Sequence, residues 1–435
     1  MNTIRSLGSA ITFRYLPTEK FTTDYFSVHF ILPLDSKTVA GYSLLTKLFK
    51  KGCRAYPSQG ALARRLEELY ASTLEISVSK QGEGQMISLG MDVLSSRFIF
   101  DGSPVSLDAN ALLADVLLDP YLENGVFSFA SVEREKSALK DQLRASINNK
   151  KTYVLKRCRE IMCEGEPYSL ALEGSEADID ACTPASLYAL YLKMLREATI
   201  EMFYIGREPL SVAEERARLL VARLGERSPI AQNTVFCPQA PKRVKRVKET
   251  VRAVQGKLAL GFRTGIDQNA SLEEKDALLL FNMIYGTSPV SKLFLNVREK
   301  LSLCYYCASR NDNQKGVLFV HSGVENDKAE AAEKEILLQL DAIKAGHVSE
   351  DEMLAAKQAF RDLTRSVADS PFTLEQWYLT RTLQGDSRTP EQMNEAIDAL
   401  TIADVVRAAK RVTLDTVFFL EGMTSKGDEC DDDAL

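Results

Sequence analysis

The sequence predicts an α+β protein in which one domain is used twice in tandem, each copy an antiparallel-rich sheet with helices packed on one face. A chain of 435 residues is too long for a single core, and this length favours two domains of roughly 200 residues each. Strand-like and helix-like segments also follow one another in the same order in both halves. In addition, residues 179–183 (IDACT) return as residues 397–401 (IDALT) at the same place in that order.

Two amphipathic helices between residues 37 and 72 organise the first half. The first has the apolar spacing of one helical face, and Gly52 stands where a helix C-cap is favoured. The second begins behind Ser58 and carries an apolar stripe at Leu62, Leu66 and Leu69. The apolar positions of the first helix are Leu44, Leu45, Leu48 and Phe49. We therefore expect the first helix to pack against another element.

The remaining elements of the first half follow from strand and helix signals. A buried strand is predicted at 24–34, and a hairpin joined at Gly82–Gly84 follows the helix pair. A further strand is predicted at 199–206. Helices are predicted at 106–118, at 127–163 with a break near Asn148, from Pro184 onward and at 211–224.

The second half is predicted to repeat this order beyond an exposed linker at 226–249, where prolines and a run of lysine and arginine show no apolar period. Its predicted strands are GKLALGF, SLCYYCAS, GVLFVHSGV and TVFFLEG, and its first predicted helices are SLEEKDALLLFNMIYG, SPVSKLFLNVREK, 327–345 and 349–369. Domains are thus predicted at 1–225 and 250–424, followed by an acidic, disordered tail at 425–435.

Composition excludes several classes of partner. A net charge of -6 and a pI near 5.5 argue against nucleic-acid binding, because phosphates require a basic protein face. The N-terminal stretch MNTIRSLGSAITFRYLPTEKF lacks the apolar core of a signal peptide, and no later stretch has transmembrane length. We therefore expect a soluble, cytoplasmic protein without a membrane partner.

The eight cysteines are scattered without regular spacing, which favours reduced thiols over a disulfide framework. Cys304 and Cys307 have the spacing of a redox motif. They lie in an apolar, extended run, however, and not at a helix N-terminus that would lower a thiol pKa. Cys158 and Cys163 are interpreted as core thiols of a helix rather than as metal ligands.

Two segments resemble a known peptidase family. LTKLFKKGCRAYPS followed by LARRLEELYAS is similar to the pitrilysin/insulinase family of inverted-motif zinc peptidases, in which a helix with a similar glycine cap carries His-x-x-Glu-His. LFLNVREKLSLCYYCAS is similar to that family's Arg-Glu-Lys, Leu-x-Tyr segment. The resemblance covers essentially the full chain and implies a mitochondrial-processing-peptidase-like metallohydrolase fold.

The resemblance also implies where a zinc site would lie. In active members two histidines and a later glutamate hold the zinc, and the glutamate between the histidines acts as a base on the bound water. When the sequence is aligned with the family on Gly52, Glu135 matches a family glutamate. The two histidines, the base and the later glutamate ligand are all replaced. These four positions carry Ser43, Thr46, Lys47 and Gln142.

These replacements predict that the chain binds no catalytic zinc, has no catalytic residues of its own and is inactive alone. A lysine at position 47 would repel Zn²⁺ electrostatically. No two histidines of the chain are spaced to share a helix face; the three histidines are His29, His321 and His347. A shifted alignment that conceals another zinc site among Asp, Glu and Cys is the alternative, and it predicts an active peptidase.

Two family residues survive in the second half. By resemblance, Arg298 and Tyr305 correspond to the arginine and tyrosine that reach the zinc site and hold the substrate. A guanidinium offers a rigid fork of donors for peptide carbonyls or carboxylates, and a phenol adds one donor. The alternative is structural: Arg298 as a solvated helix end and Tyr305 as a core aromatic on a strand.

Some bacterial members of the family work as heterodimers in which one chain keeps the zinc motif and the other keeps only the arginine and tyrosine. The resemblance therefore implies a non-catalytic, substrate-binding subunit that grips a peptide beside a zinc-bearing homologous partner. Zinc is expected only in that partner, and no other cofactor is implied. The alternative is a structural or peptide-binding scaffold without protease activity.

Three further features have ordinary structural interpretations. His321 is interpreted as a packed or edge residue of a strand and Trp377 as a core residue of a helix. The basic cluster at 242–248 is interpreted as a solvated linker, with contact to a phosphate or a partner as the alternative.

Overall fold

The strands of the first half form a six-stranded sheet in the computed structural model, which describes residues 2–231, 234, 236 and 239–423. These strands are β1 (Thr3–Gly8), β2 (Ile11–Pro17), β3 (Thr23–Pro33), β4 (Thr73–Gln81), β5 (Gly84–Leu94) and β6 (Thr199–Gly206). Their spatial order is β1-β2-β6-β3-β5-β4. Only β2 and β6 pair in parallel; the other neighbours are antiparallel.

The helices of the first half, with the exception of Lys150–Met162, supply the apolar core on one face of this sheet. They are α1 (Val39–Phe49), α2 (Gln59–Glu68), α3 (Val105–Leu118), α4 (Phe129–Ala145), α5 (Lys150–Met162), α6 (Glu176–Ala181), α7 (Pro184–Glu197) and α8 (Leu210–Ala222). Phe26, Val28 and Phe30 of β3 are buried among side chains of α1, α3, α7 and α8. Because side chains alternate along a strand, Tyr25, Ser27 and His29 lie on the opposite face.

Within the described residues, the second half repeats the arrangement without a counterpart of β1. Its strands are β7 (Lys245–Val251), β8 (Gly256–Arg263), β9 (Cys304–Asp312), β10 (Val317–Val324) and β11 (Thr413–Gly422), in the order β7-β11-β8-β10-β9. Its helices are α9 (Leu272–Asn282), α10 (Ala329–Lys344), α11 (Glu350–Val367), α12 (Pro371–Thr382), α13 (Pro390–Ala399) and α14 (Ile402–Arg411). Here β7 and β11 form the parallel pair, as β2 and β6 do in the first sheet. The predicted α+β duplication is therefore confirmed.

Two compact units emerge from the contacts, and each contains a segment from the other half of the sequence. The first unit consists of Met1–Arg144, Leu170–Asn233 and Ala368–Thr380, so it includes most of α12. The second consists of Ala145–Ser169, Thr234–Val367 and Arg381–Leu435, so it includes α5. The predicted halves at 1–225 and 250–424 do not anticipate this exchange of helices.

Helices on a single face of each sheet were expected, and this expectation needs correction. In the first unit, Glu375 of α12 contacts the β3 face that carries Ser27 and His29. In the second unit, α5 packs its apolar side chains on Ala259, Val317 and other residues of the second sheet. Both faces of each sheet are therefore covered, one of them by the exchanged helix.

The structure differs from the predicted elements in three places. The end of the predicted linker, residues 245–249, belongs to the edge strand β7, whose charged residues obscure a strand alternation. Strands β1 and β2 precede the first predicted strand. The helical stretches Met283–Thr287 and Leu293–Lys300 have π-type hydrogen bonding instead of regular α-helical bonding.

Other predictions concern single residues or lie outside the described part. Trp377 is 7% exposed, as expected of a core residue. The predicted acidic tail, Cys237 and Cys430 lie outside the described residues. Within the described residues, no helix has both the length and the apolar character needed to cross a lipid bilayer.

Candidate functional site

A glycine turn fixes the end of α1 in the first unit. Gly52 has φ of +131°, and a Cβ atom at this position would clash with the backbone oxygen of Tyr56. Beyond the turn, the Ser58 side chain accepts a hydrogen bond from the backbone N–H of Ala61 at 3.2 Å and so caps α2. The turn therefore follows closely on Lys47, the last of the family's zinc-site positions on α1.

The four positions of that site carry side chains that already bind protein groups. Ser43 Oγ donates to the backbone oxygen of Leu172 at 2.5 Å, and Thr46 Oγ1 donates to the backbone oxygen of Ser43 at 2.8 Å. Both residues are buried. Lys47 Nζ donates to Gln142 Oε1 of α4 at 3.1 Å. The structure therefore brings Lys47 and Gln142 together, one turn of α1 away from Ser43.

This donor set does not fit a catalytic zinc ion. Zinc in proteins is bound by imidazole, thiolate or carboxylate groups, whereas this site offers two hydroxyls, an amide and an ammonium. The ammonium of Lys47 adds a positive charge that repels a dication. Nearby, the buried carboxylate of Glu135 is already paired with Lys51 Nζ at 2.8 Å.

The alternative of a zinc site elsewhere finds no support in the part of the chain that the structure describes. Within those residues, no three or more His, Cys, Asp and Glu side chains are grouped so that they could hold a metal ion. The described cysteines are also buried and free.

Arg298 lies near the end of the π-helical stretch Leu293–Lys300 of the second unit. Its side chain is 43% exposed, and its guanidinium lies 4.8 Å from the centre of the Phe294 ring. Its Nε is 3.5 Å from Glu299 Oε1. Arg298 is thus oriented by neighbours in its own segment and presents its charge to solvent, as expected either of a solvated helix end or of a residue that binds a ligand.

A β-bulge in β9 turns Tyr305 outward. In the pairing of β9 with β10, Tyr306 faces Gly323 and Cys304 faces Val324, so Tyr305 is the extra residue. Tyr305 is 52% exposed. The interpretation of Tyr305 as a core aromatic is therefore wrong, because its ring is available to solvent.

The same bulge places Cys304 and Cys307 on one face of β9. A hydrogen bond from Cys307 outweighs burial and lowers the pKa of Cys304 to about 7. The expected extended conformation is confirmed, because both cysteines lie on β9. The pKa of Cys304 is nevertheless lowered, and the cause is the neighbouring thiol of Cys307 rather than a helix N-terminus.

The sequence interpretation missed a buried polar cluster of the first unit. His29 Nε2 lies 2.9 Å from Glu375 Oε1, and His29 Nδ1 lies 2.8 Å from Ser88 Oγ. Ser27 Oγ donates to Glu375 Oε1 and Tyr25 OH donates to Glu375 Oε2 at 3.2 Å. Burial and the Glu375 carboxylate raise the pKa of Tyr25, which keeps this phenol a donor. Glu375 is fully buried, so the cluster attaches α12 to β3 rather than binding substrate.

Comparison with known proteins agrees with this geometry. The family model of the peptidase M16 inactive domain matches residues 181–360. The protein YmfF of Bacillus subtilis, named a probable inactive metalloprotease, is 28% identical over 97% of this chain and 98% of its own length.

Solved structures give the same architecture. The structure of a conserved protein of Enterococcus faecalis superposes on this chain with a TM-score of 0.87 at 29% sequence identity. The match covers 98% of this chain and 99% of the other. A peptidase M16 inactive domain from Pseudomonas fluorescens has a TM-score of 0.78 over 98% of this chain and 99% of its own, and at 19% identity it supports the fold alone. The chain is therefore similar to the peptidase M16 inactive domain over residues 181–360 and to a probable inactive metalloprotease over nearly its full length, and it lacks the His-x-x-Glu-His motif.

Proposed function

We propose that the chain is the non-catalytic, substrate-binding subunit of a heterodimeric zinc endopeptidase, and that Arg298 and Tyr305 contribute to the zinc site of a homologous partner. The observation that carries the proposal is the contrast between two sets of residues. The positions of the zinc site have lost every zinc-binding group, whereas Arg298 and Tyr305 retain exposed side chains. Zinc and the catalytic base then come from the partner chain.

Exposed sheet edges give a peptide a place to bind. Within the described residues, β4 pairs only with β5, and β9 pairs only with β10. Each edge strand therefore presents one row of main-chain N–H and C=O groups that no other strand uses, and an extended peptide can pair with such a row. Tyr305 lies on β9 itself, so it would contact a peptide bound along that strand.

The first experiment asks whether the partner exists. The tagged chain is purified from its native cells, and the proposal expects a co-purifying protein of similar size that carries His-x-x-Glu-His, together with zinc in the complex. The isolated chain is expected to contain no stoichiometric zinc. A chain that is recovered without such a partner favours the scaffold alternative, and a lone chain with zinc and chelator-sensitive activity contradicts the proposal.

The second experiment tests Arg298 and Tyr305 in the reconstituted complex. Arg298→Ala should lower peptide turnover roughly ten- to hundred-fold, since a hydrogen bond to a charged group contributes about 1.5–3 kcal/mol. Arg64→Ala is the control, because Arg64 is an exposed arginine that lies on α2 and not on the edge strand β9. Tyr305→Phe removes only the phenol oxygen and should give a smaller loss.

Assembly is measured alongside turnover, by co-elution of the two chains. Unchanged turnover in Arg298→Ala, with assembly intact, would remove the assigned role from this residue. A loss of turnover equal to that of Arg64→Ala would mean that general charge, and not the position of Arg298, is responsible.

A further inference from the structure

An open cavity of about 490 Å³ lies at one end of the first sheet, where β5 and β6 end and α8 begins. It is built entirely from residues of the first unit. Its lining residues are Glu19, Ser95, Ser96, Arg97, Arg207, Glu208, Pro209 and Val212. A volume of this size is in the range of small-molecule sites, which is about 300–1,000 Å³.

Two arginines bring positive charge to this cavity. Arg97 is exposed, and within the described residues it has neither an ion-pair nor a hydrogen-bond partner. Arg207 is held rigidly: its Nε donates to the backbone oxygen of Phe21 at 3.0 Å, and its guanidinium lies over the Phe98 ring. Its Nη2 donates to the backbone oxygen of Glu19, and its Nη1 lies 3.6 Å from Glu19 Oε2. Nη1, which makes no hydrogen bond among the described residues, is therefore the part of Arg207 that can bind a ligand.

The start of α8 adds unsatisfied donors. This helix has 13 residues, its N-cap position is Pro209 without a capping side chain, and its first turn contains no acidic residue. Val212 and Ala213 donate to the backbone oxygen of Pro209. The preceding backbone N–H groups, those of Leu210 and Ser211, have no partner among the described residues. A helix N-terminus in this state favours an anion.

A buried hydroxyl points to a ligand independently of the helix. Ser95 is only 1% exposed and lines the cavity, yet its Oγ has no hydrogen-bond partner within the described residues. Buried hydroxyls are normally paired, because leaving one unpaired is costly. An anion in the cavity would supply the missing acceptor.

The two carboxylates of the lining leave the charge of Arg97 uncompensated. Glu208 is buried and paired with Arg216 Nη1 at 2.5 Å, so its charge is compensated inside the protein. Glu19 has 85% of its side chain exposed and is therefore largely screened by solvent.

The second unit shows the same end of the sheet closed. There, Asn326 Nδ2 donates to the backbone oxygen of Gly422 at 2.7 Å, and the backbone N–H of Gly422 donates to Asn326 Oδ1 at 3.2 Å. One side chain thus joins the ends of β10 and β11, where the first unit has a cavity between the ends of β5 and β6.

We infer that this cavity binds the phosphate group of a small phosphorylated molecule, with Arg97, Arg207, Ser95 and the N-terminus of α8 as donors. A tetrahedral anion accepts from several directions at once, which matches donors that come from two loops and a helix. The volume beyond the phosphate accommodates the rest of the molecule. This site is separate from the peptide-binding role and does not depend on it.

The test is calorimetric titration of the full chain with phenyl phosphate, inorganic phosphate and phenol at constant ionic strength. Saturable binding is expected for phenyl phosphate, weaker binding for inorganic phosphate and none for phenol. Arg97→Ala should weaken phenyl phosphate binding roughly ten- to hundred-fold, and Ser95→Ala should weaken it less. Arg64→Ala is the control, because Arg64 is an exposed arginine of α2 away from the cavity.

Thermal melting of each variant establishes that it is folded before titration. Equal affinity in Arg97→Ala and Arg64→Ala would overturn the inference, since binding would then reflect surface charge alone. The absence of saturable heat for phenyl phosphate up to about 10 mM would also overturn it.

Discussion

The two sheets attach their exchanged helices in different ways. In the first unit, α12 inserts Glu375 between Tyr25, Ser27 and His29 of β3, and buried hydrogen bonds hold it. In the second unit, α5 packs Val154, Cys158 and Met162 on an apolar strand surface, and hydrogen bonds to β7 and β8 add to this packing. The architecture is the same, but the first contact centres on a buried carboxylate and the second on apolar side chains.

The register of the strands shows why each helix suits its own sheet. Thr199 pairs with Ile31 in the first sheet, and Thr413 pairs with Arg263 in the second sheet, so Ile31 of β3 and Arg263 of β8 occupy equivalent positions. Two residues earlier on each strand, His29 is therefore equivalent to Gly261. A Cβ atom on Gly261 would lie 2.5 Å from Met162 Sδ and 3.4 Å from Cys158 Sγ. The second sheet therefore has no room for a histidine at this position, where Met162 and Cys158 of α5 approach the strand closely.

The comparison predicts which substitutions each helix–sheet contact can tolerate. A buried polar pair is strongly weakened when one partner is removed, whereas a close apolar contact is weakened by added volume. The two units should thus respond to different substitutions.

The largest effect is expected for Glu375→Leu. This change leaves buried His29, Ser27 and Tyr25 without their shared acceptor, and the free energy of unfolding of the first unit should fall by about 3–5 kcal/mol. Urea unfolding monitored by fluorescence of Trp377, which lies on the same helix, provides the measurement.

A double variant sharpens this prediction. His29→Leu combined with Glu375→Leu replaces the central pair by apolar groups and should recover a large part of the loss. Glu395→Leu, at an exposed position of α13, is the control and should change the free energy of unfolding by no more than about 0.5 kcal/mol. Additive losses in the double variant would show that the pair is not the interaction that holds α12.

A pH effect is expected from His321, a half-buried histidine of β10. In the second unit, burial and the charges of Lys151 and Arg310 lower the pKa of His321 from 6.5 to about 4, and no carboxylate compensates. The unfolded chain therefore binds a proton as pH falls through 6.5, whereas folded His321 does so only near pH 4. Stability is lost between these values, by on the order of 2–3 kcal/mol.

His321→Gln should remove this part of the pH dependence. The free energy of unfolding is measured at pH 6.5 and at about pH 4.5, where the difference should shrink relative to the original chain. His347→Gln, which changes an exposed histidine of the same unit, serves as control. An unchanged pH slope in His321→Gln would show that His321 is not the group responsible.

An intermediate effect is expected for Gly261→Val. The new side chain must displace Met162 and Cys158 of α5, and the resulting overpacking should lower the free energy of unfolding by about 1–3 kcal/mol. Gly60→Ala is the matched control, since nothing lies within 4 Å of a Cβ atom there, and this exposed helical position should gain about 0.5–1 kcal/mol. Stabilisation by Gly261→Val would contradict the close approach of α5.

The smallest effect is expected for Lys47→Ala. Its hydrogen bond with Gln142 is exposed to solvent, unlike that of His29 with Glu375. The free energy of unfolding should change by no more than about 0.5 kcal/mol, measured by the same urea titration. A large loss would mean that the degenerate zinc site has become a structural element.

Much of the fold was predictable because its signals are local. The apolar positions of α1 and the cap at Ser58 occur within a few residues of one another, and both helices were predicted correctly. Strand β7 was missed because it is an edge strand that contains Lys245, Arg246 and Lys248, and this charged composition is also typical of a linker. Its parallel partner β11, by contrast, shows a plain apolar run.

The exchanged helices and the candidate sites required the structure. The segment that carries Glu375 has the pattern of an ordinary amphipathic helix, and nothing in it indicates that it contacts β3. The exposure of Tyr305 depends on a bulge, which leaves no local signal in the sequence. The phosphate cavity combines residues of three loops that only the sheet brings together. The loss of the zinc motif, however, was evident from the sequence, because the chain has three histidines and no two of them are spaced to share a helix face.

The contact between His29 and Glu375 has a consequence for biosynthesis. The two residues are separated by 346 positions. At a translation speed of about 5–20 residues per second, a ribosome needs roughly 20–70 s to cover this distance. During that interval the nascent first sheet exposes an unsatisfied histidine and serine, so its last helix arrives only when nearly the whole polypeptide has been made.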